Sequence, residues 1–143
     1  MTERRTGREV CFLIDHDGAI LWSDASDHPA SMPDSRERWT RIWDLRKRLA
    51  EIAHSHPGGG LHFSSTDEAT MASINAGLGR RLTYSVITPD AMLRRPGGTD
   101  DPAGTNPTAE SNGDHVVEAE PWWTALLRSA SDMHHSSNEE QET

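Results

Sequence analysis

The chain has 143 residues, a formal net charge of -9, 34% hydrophobic residues and one cysteine, the dimensions of one small soluble domain rather than two. The charge is uneven: residues 1–95 hold 13 acidic and 13 basic residues, whereas residues 96–143 hold 10 acidic residues and one base, Arg128. A neutral body whose only basic cluster is Arg46-Lys47-Arg48 argues against a nucleic-acid partner, which needs cations clustered toward phosphates. The absence of an apolar run near the roughly 18 residues of a bilayer span, the polar stretch Met1–Arg8 and the lone Cys11 lead to an expectation of no membrane association and a reducing cytoplasm.

In chain order, Cys11-Phe12-Leu13-Ile14 and Ala19-Ile20-Leu21-Trp22 flank His16-Asp17-Gly18, and an Asp-Gly pair supplies the positive φ angles of a tight hairpin turn. Residues 23–33, with Pro29 and Pro33, read as a loop, and Asp34-x-x-Glu37 has the form of a capping box opening a helix. The apolar side of that helix carries Trp39, Ile42, Trp43 and Leu49, with Trp39 and Trp43 expected in the core. A short strand over Glu51–His56 runs into Pro57-Gly58-Gly59-Gly60, which cannot continue a ladder.

Ser65-x-x-Glu68 reads as a second capping box, and Met71, Ile74 and Leu78 at helical spacing before Gly79 predict a helix over about 66–78. Leu82–Ile87 is rich in β-formers, and Pro89-Asp90 turns it into a return through Met92 and Leu93, so the body closes at Arg95. Residues 96–114 lack any large apolar side chain and read as a mobile linker, and residues 133–143 read as disordered. Between them, Pro121 and the shared face of Trp123, Leu126, Leu127 and Ala130 predict a helix over about 121–131. Two fates fit it: docking back on the body, or recruiting a partner through Trp122, Trp123, Leu126 and Leu127.

The chemistry concentrates at His54-Ser55-His56. On a strand, period-2 geometry turns both imidazoles to one face, a ready pair of zinc ligands. Asp67, eleven residues after His56 and in the first turn of the next helix, can fold back through the glycine-rich loop to complete a two-histidine, one-carboxylate Zn2+ site. Three protein ligands leave a fourth position open, as in catalytic rather than structural zinc sites. Glu51 alternates with Ile52 and His54 and so faces away from the histidines. His62 is either solvent-exposed or substrate-lining, and His16, His28 and His134-His135 read as solvated.

His54-Ser55-His56-Pro57, followed by Ser64 and Asp67, resembles the signature of the JAMM (MPN+) zinc metalloprotease family: His-x-His, seven residues, Ser, two residues, Asp. The resemblance covers roughly Glu9 to Arg95 and implies an α/β fold, a compact MPN (JAB) domain with a mixed central sheet flanked by helices. The domain would occupy residues 1–95, followed by a disordered acidic tail over 96–143 with one short helix. It further implies that Glu9, in the segment Glu9-Val10-Cys11, is the general base. Ser64 would then donate to the oxyanion, beside the alternative that Ser64 only caps the next helix. Phe12 stands where the family usually has Gly, and only eight residues precede Glu9.

The activity so implied is that of a peptidase or isopeptidase acting at the C-terminal tail of a ubiquitin-like or sulfur-carrier protein. Two other readings stand beside it: a non-catalytic MPN-type interaction module, and a RadC-like DNA-maintenance protein, from which Ser55 in place of the usual Asn departs.

Overall fold

The computed structural model describes residues 8–26, 36–58, 60–97 and 113–133. Asp34, Pro29, Pro33, His28, His134 and His135, with the readings attached to them, lie outside the described residues. Six strands form one mixed sheet in the order β2-β1-β3-β4-β5-β6: β1 Glu9–Asp15, β2 Ile20–Ser26, β3 Leu49–Ser55, β4 Thr83–Ile87, β5 Met92–Arg95 and β6 His115–Val116. Only β3 and β4 run parallel, and the crossover that a parallel pair requires is supplied by helix α2, Ser65–Leu78.

Alternation along the strands divides the core in two. On one face Cys11, Leu13, Ile52, Tyr84 and Val86 meet Ile42 of α1 (Arg36–Asp44) and Met71 and Ile74 of α2. On the other, Val10, Phe12, Ile14, Ala53, Ile87 and Met92 meet Trp123 and Leu127 of α3, Trp123–Ala130. The sheet is therefore covered by helices on both faces. No helix among the described residues is long and apolar enough to cross a membrane.

The hairpin forms, but of the Asp-Gly pair only Gly18 takes a positive φ, at +85, and residues 16–19 separate the strands; Asp15 Oδ1 accepts the Asp17 and Ala19 amides across the turn. Strand β2 continues through Ser26, however, where residues 23–26 read as loop. Its backbone pairs with β1 as far as Glu9↔Ser26, and pairing on an edge strand does not require apolar side chains. Strand β3 begins at Leu49, two residues before the expected start, and ends at Ser55. His56 lies just beyond it, held by its N–H donating to the Ile87 carbonyl at 2.8 Å.

Four further expectations are corrected. The second capping box is Ser64 with Asp67, one residue earlier than Ser65 with Glu68. Trp43 is 52% exposed rather than core, with the Arg46 guanidinium 3.9 Å from its ring centre; Ile42 and half-buried Trp39 provide the buried face instead. The body does not close at Arg95: Gly97 N–H donates to Thr83 Oγ1, and β6 pairs with β5. A side chain at Gly97 would run into the backbone carbonyls of Leu82 and Arg81, so only glycine fits. Finally, Met133, expected to be disordered, is buried in the second cluster after Asp132 turns the chain at φ +61.

Helix α3 has the face expected of it and buries that face against the sheet. Trp123 and Leu127 are 1% and 0% exposed, so they are core residues and unavailable to a partner; Trp122 and Leu126, at 62% and 46%, point outward. Arg128 locks the helix down by donating to the Thr88 and Ala91 carbonyls and pairing with Glu120 at 2.8 Å.

Candidate metal centre

The first histidine stands on β3 and the second one step past its end, while Asp67 occupies the third position of α2. Ser64 and Asp67 satisfy each other reciprocally. The Asp67 N–H donates to Ser64 Oγ at 3.0 Å, and the Ser64 N–H donates to Asp67 Oδ2 at 2.9 Å. This capping box fixes the Asp67 carboxylate where the helix begins, and the Pro57–Phe63 loop brings that point against the end of β3. The capping bond uses a lone pair of the Ser64 hydroxyl and leaves its proton uncommitted, so capping and hydrogen-bond donation to a ligand are compatible at this residue.

Three donor atoms converge there: His54 Nε2 to His56 Nε2 is 3.1 Å, His54 Nε2 to Asp67 Oδ2 3.3 Å and His56 Nε2 to Asp67 Oδ2 3.4 Å. A tetrahedron with metal–ligand bonds of about 2.0–2.1 Å has edges of about 3.3–3.4 Å. Mg2+ in octahedral oxygen coordination needs edges of about 2.9 Å and has no use for imidazole. The residues present therefore fit a metal ion taking two nitrogens and one oxygen, with an open fourth position. Among the described residues this is the group of His, Cys, Asp and Glu side chains that could hold a metal ion.

The supporting contacts agree. The His56 Nδ1 lies 3.2 Å from the Gly60 carbonyl oxygen, which can only accept, so Nδ1 carries a proton in either state: the protonated ring donates Nε2–H to Asp67, and the neutral ring turns its Nε2 lone pair to the cluster. Burial favours neutral His56, but hydrogen bonds to Asp67 and Gly60 outweigh it and its pKa is raised. Burial likewise favours neutral Asp67, yet the hydrogen bonds from His54 and His56 prevail and hold its carboxyl far below the usual range. The exposed His62 ring stands edge-on to His56, with centres 6.0 Å apart.

Glu9 is on β1, 4% exposed, on the same sheet face as the histidines because Cys11 pairs with His54. Burial pushes its pKa up to about 7; the neighbouring Asp67 charge acts the same way, while His56 and Arg38 oppose it. A carboxyl poised near neutrality beside groups that could hold a metal ion has the protonation range that general-base chemistry uses. Cys11 lies beneath it in the core, where burial pushes the thiol up to about 11 and removes it as a ligand.

Glu51 faces the other side of the sheet, as its alternation predicts. It accepts the Ser85 hydroxyl and two Arg94 donors, a buried structural ion pair. The polar pair Ser55–Ser131 behind β3, hydrogen-bonded at 2.8 Å and fully buried, carried no signal in the sequence beyond a serine on the inward-facing side of a strand.

No protein-family model matches the chain, and no curated protein matches it.

Proposed function

We propose that the chain is a zinc-dependent hydrolase of peptide or isopeptide bonds at the C-terminal tail of a ubiquitin-like or sulfur-carrier protein, of the JAMM type its motif resembles. The observation that carries this reading is the juxtaposition of the His54, His56 and Asp67 donor atoms, 3.1–3.4 Å apart, with the buried carboxyl of Glu9 on the same face. The donor set of two imidazoles and a carboxylate suits zinc over magnesium or calcium.

A zinc ion held by His54, His56 and Asp67 would polarise the scissile carbonyl as a Lewis acid and acidify water at the open position. Glu9 takes the proton of the attacking water on its carboxylate. The same carboxyl then delivers that proton to the departing amine nitrogen, so a carboxylate and a free amine leave. The Ser64 hydroxyl donates its proton in a hydrogen bond to the tetrahedral oxyanion. Asp67 holds the charge of the site while its capping bond keeps it in register, and Gly60 keeps His56 in the tautomer that can ligate.

The test is metal analysis after chelator-free purification, together with cleavage of ubiquitin-like proteins carrying C-terminal extensions. One zinc per chain and cleavage are expected, and His56→Ala abolishes both; full zinc stoichiometry in H56A removes the ligand assignment. The exposed Trp122 and Leu126 favour a second reading, a non-catalytic interaction module. Metal-free protein without cleavage decides for it.

A further inference from the structure

Glu9 keeps its backbone pairing with Ser26 of β2 but stands past the end of the β1–β3 ladder on its other side. The β1–β3 register runs from Asp15↔Leu49 to Cys11↔His54 and stops there, short of the Glu9 and His56 positions. On the β3 side a side chain takes the place of backbone pairing: Ser55 Oγ accepts the Val10 N–H at 2.9 Å and donates to the Arg8 carbonyl at 3.3 Å, bracketing Glu9 along the chain. Ser131, the residue after α3, donates its hydroxyl to Ser55 Oγ at 2.8 Å, and its carbonyl accepts the Arg8 N–H at 3.0 Å. Arg8 Nε also donates to the Ala130 carbonyl at 3.2 Å.

A hydroxyl has one proton and two lone pairs, and Ser55 uses all three. Both serines are 0% exposed, so water cannot replace a lost partner. The network lies on the face of β3 opposite His54, behind the donor atoms and touching none of them. It reaches Glu9 through the backbone of residues 8–10, and Ser55 also adjoins His54 and His56 along the chain, which is why zinc content is read alongside kcat. A general base misplaced by about 1 Å loses on the order of 100-fold in rate, so a hold of this kind at Glu9 has a catalytic effect.

We propose that Ser131 and Ser55 are positioning residues that carry the grip of helix α3 through the sheet to Glu9, making the C-terminal helix a working part of the hydrolytic site. This rests on the reading of Glu9 as general base. Two readouts separate it from that reading: amide hydrogen exchange at residues 8–10 in the full chain, and steady-state cleavage of a ubiquitin-like domain bearing a labelled C-terminal peptide.

In Ser131→Ala, Val10 exchange accelerates at least tenfold and kcat falls at least tenfold at unchanged KM, while zinc stays at one per chain. Ser131→Thr, which keeps the hydroxyl, restores both. Val10 exchange unchanged in S131A overturns the link whatever the wild type cleaves. Zinc lost together with kcat reduces the effect to general disruption and overturns the positioning role, as does wild-type kcat with a deprotected Val10. A wild-type chain that cleaves nothing overturns the hydrolase reading and with it the catalytic purpose of the link. Should S131A fail to fold, Ser55→Thr against Ser55→Ala poses the same comparison from the other partner.

Discussion

Replacing Glu9 by Gln in the metal-free protein is expected to stabilise it, and to do so only when the pH is high enough to ionise the native residue. Burial holds the Glu9 carboxyl at about 7 against an ordinary 4.5, so between these values the folded chain binds more protons than the unfolded chain. Stability therefore falls as the pH rises through that window. The cost reaches about 3 kcal/mol by pH 8 and stays under about 1 kcal/mol at pH 5. Gln keeps the shape without the charge and escapes this cost. Urea unfolding in chelator should place the E9Q midpoint about 1–3 M above wild type at pH 8 and close to it at pH 5. Adding zinc should narrow the gap at pH 8, because a nearby cation favours the carboxylate. Equal midpoints at pH 8, or a gap that does not change from pH 5 to 8, would refute the assignment of Glu9 as a desolvated carboxyl beside the cluster.

Ser64→Ala removes the α2 cap and should cost about 1 kcal/mol of stability; if the hydroxyl also serves the oxyanion, kcat falls about 100- to 1,000-fold. A stability loss with wild-type kcat would restrict Ser64 to capping. Zinc affinity, measured by competition titration, should already weaken above pH 6.5 on acidification because the His56 pKa is raised from that value; affinity flat from pH 8 to 5.5 would argue against His56 as a ligand. Trp123→Ala should destabilise by about 3–5 kcal/mol and Trp43→Ala by well under half of that, as judged by paired denaturation curves. Equal losses would mean that α3 is not part of the core.

The convergence of His54, His56 and Asp67 was legible because its determinants are local. Two histidines at period 2 must share a face, and an aspartate in the first turn of a helix has a restricted position. The hairpin at Gly18 and the face of α3 were readable for the same reason. What the pattern could not show depends on distant partners. Ser23–Ser26 looks like a loop until β1 pairs with it, and the two-residue β6 exists only because β5 offers an edge. Trp43 repeats the spacing of a core residue, yet Ile42 and Trp39 already fill that face. Ser55 and Ser131, 76 residues apart, are two small polar side chains with no periodicity or charge to announce them.

The bond between the Arg8 amide and the Ser131 carbonyl joins positions 123 residues apart, so Arg8 is synthesised long before its partner. At translation speeds of about 5–20 residues per second, the Glu9 end of β1 waits on the order of 6–25 s for its latch, whereas His54, His56 and Asp67 are all synthesised well before that. The three groups that could hold a metal ion are thus present on a nascent chain while the Glu9 end of β1 still lacks its Ser131 contact. A stop or cleavage between residues 67 and 131 would leave a chain that retains His54, His56 and Asp67 and lacks the Ser131 contacts to Arg8 and Ser55.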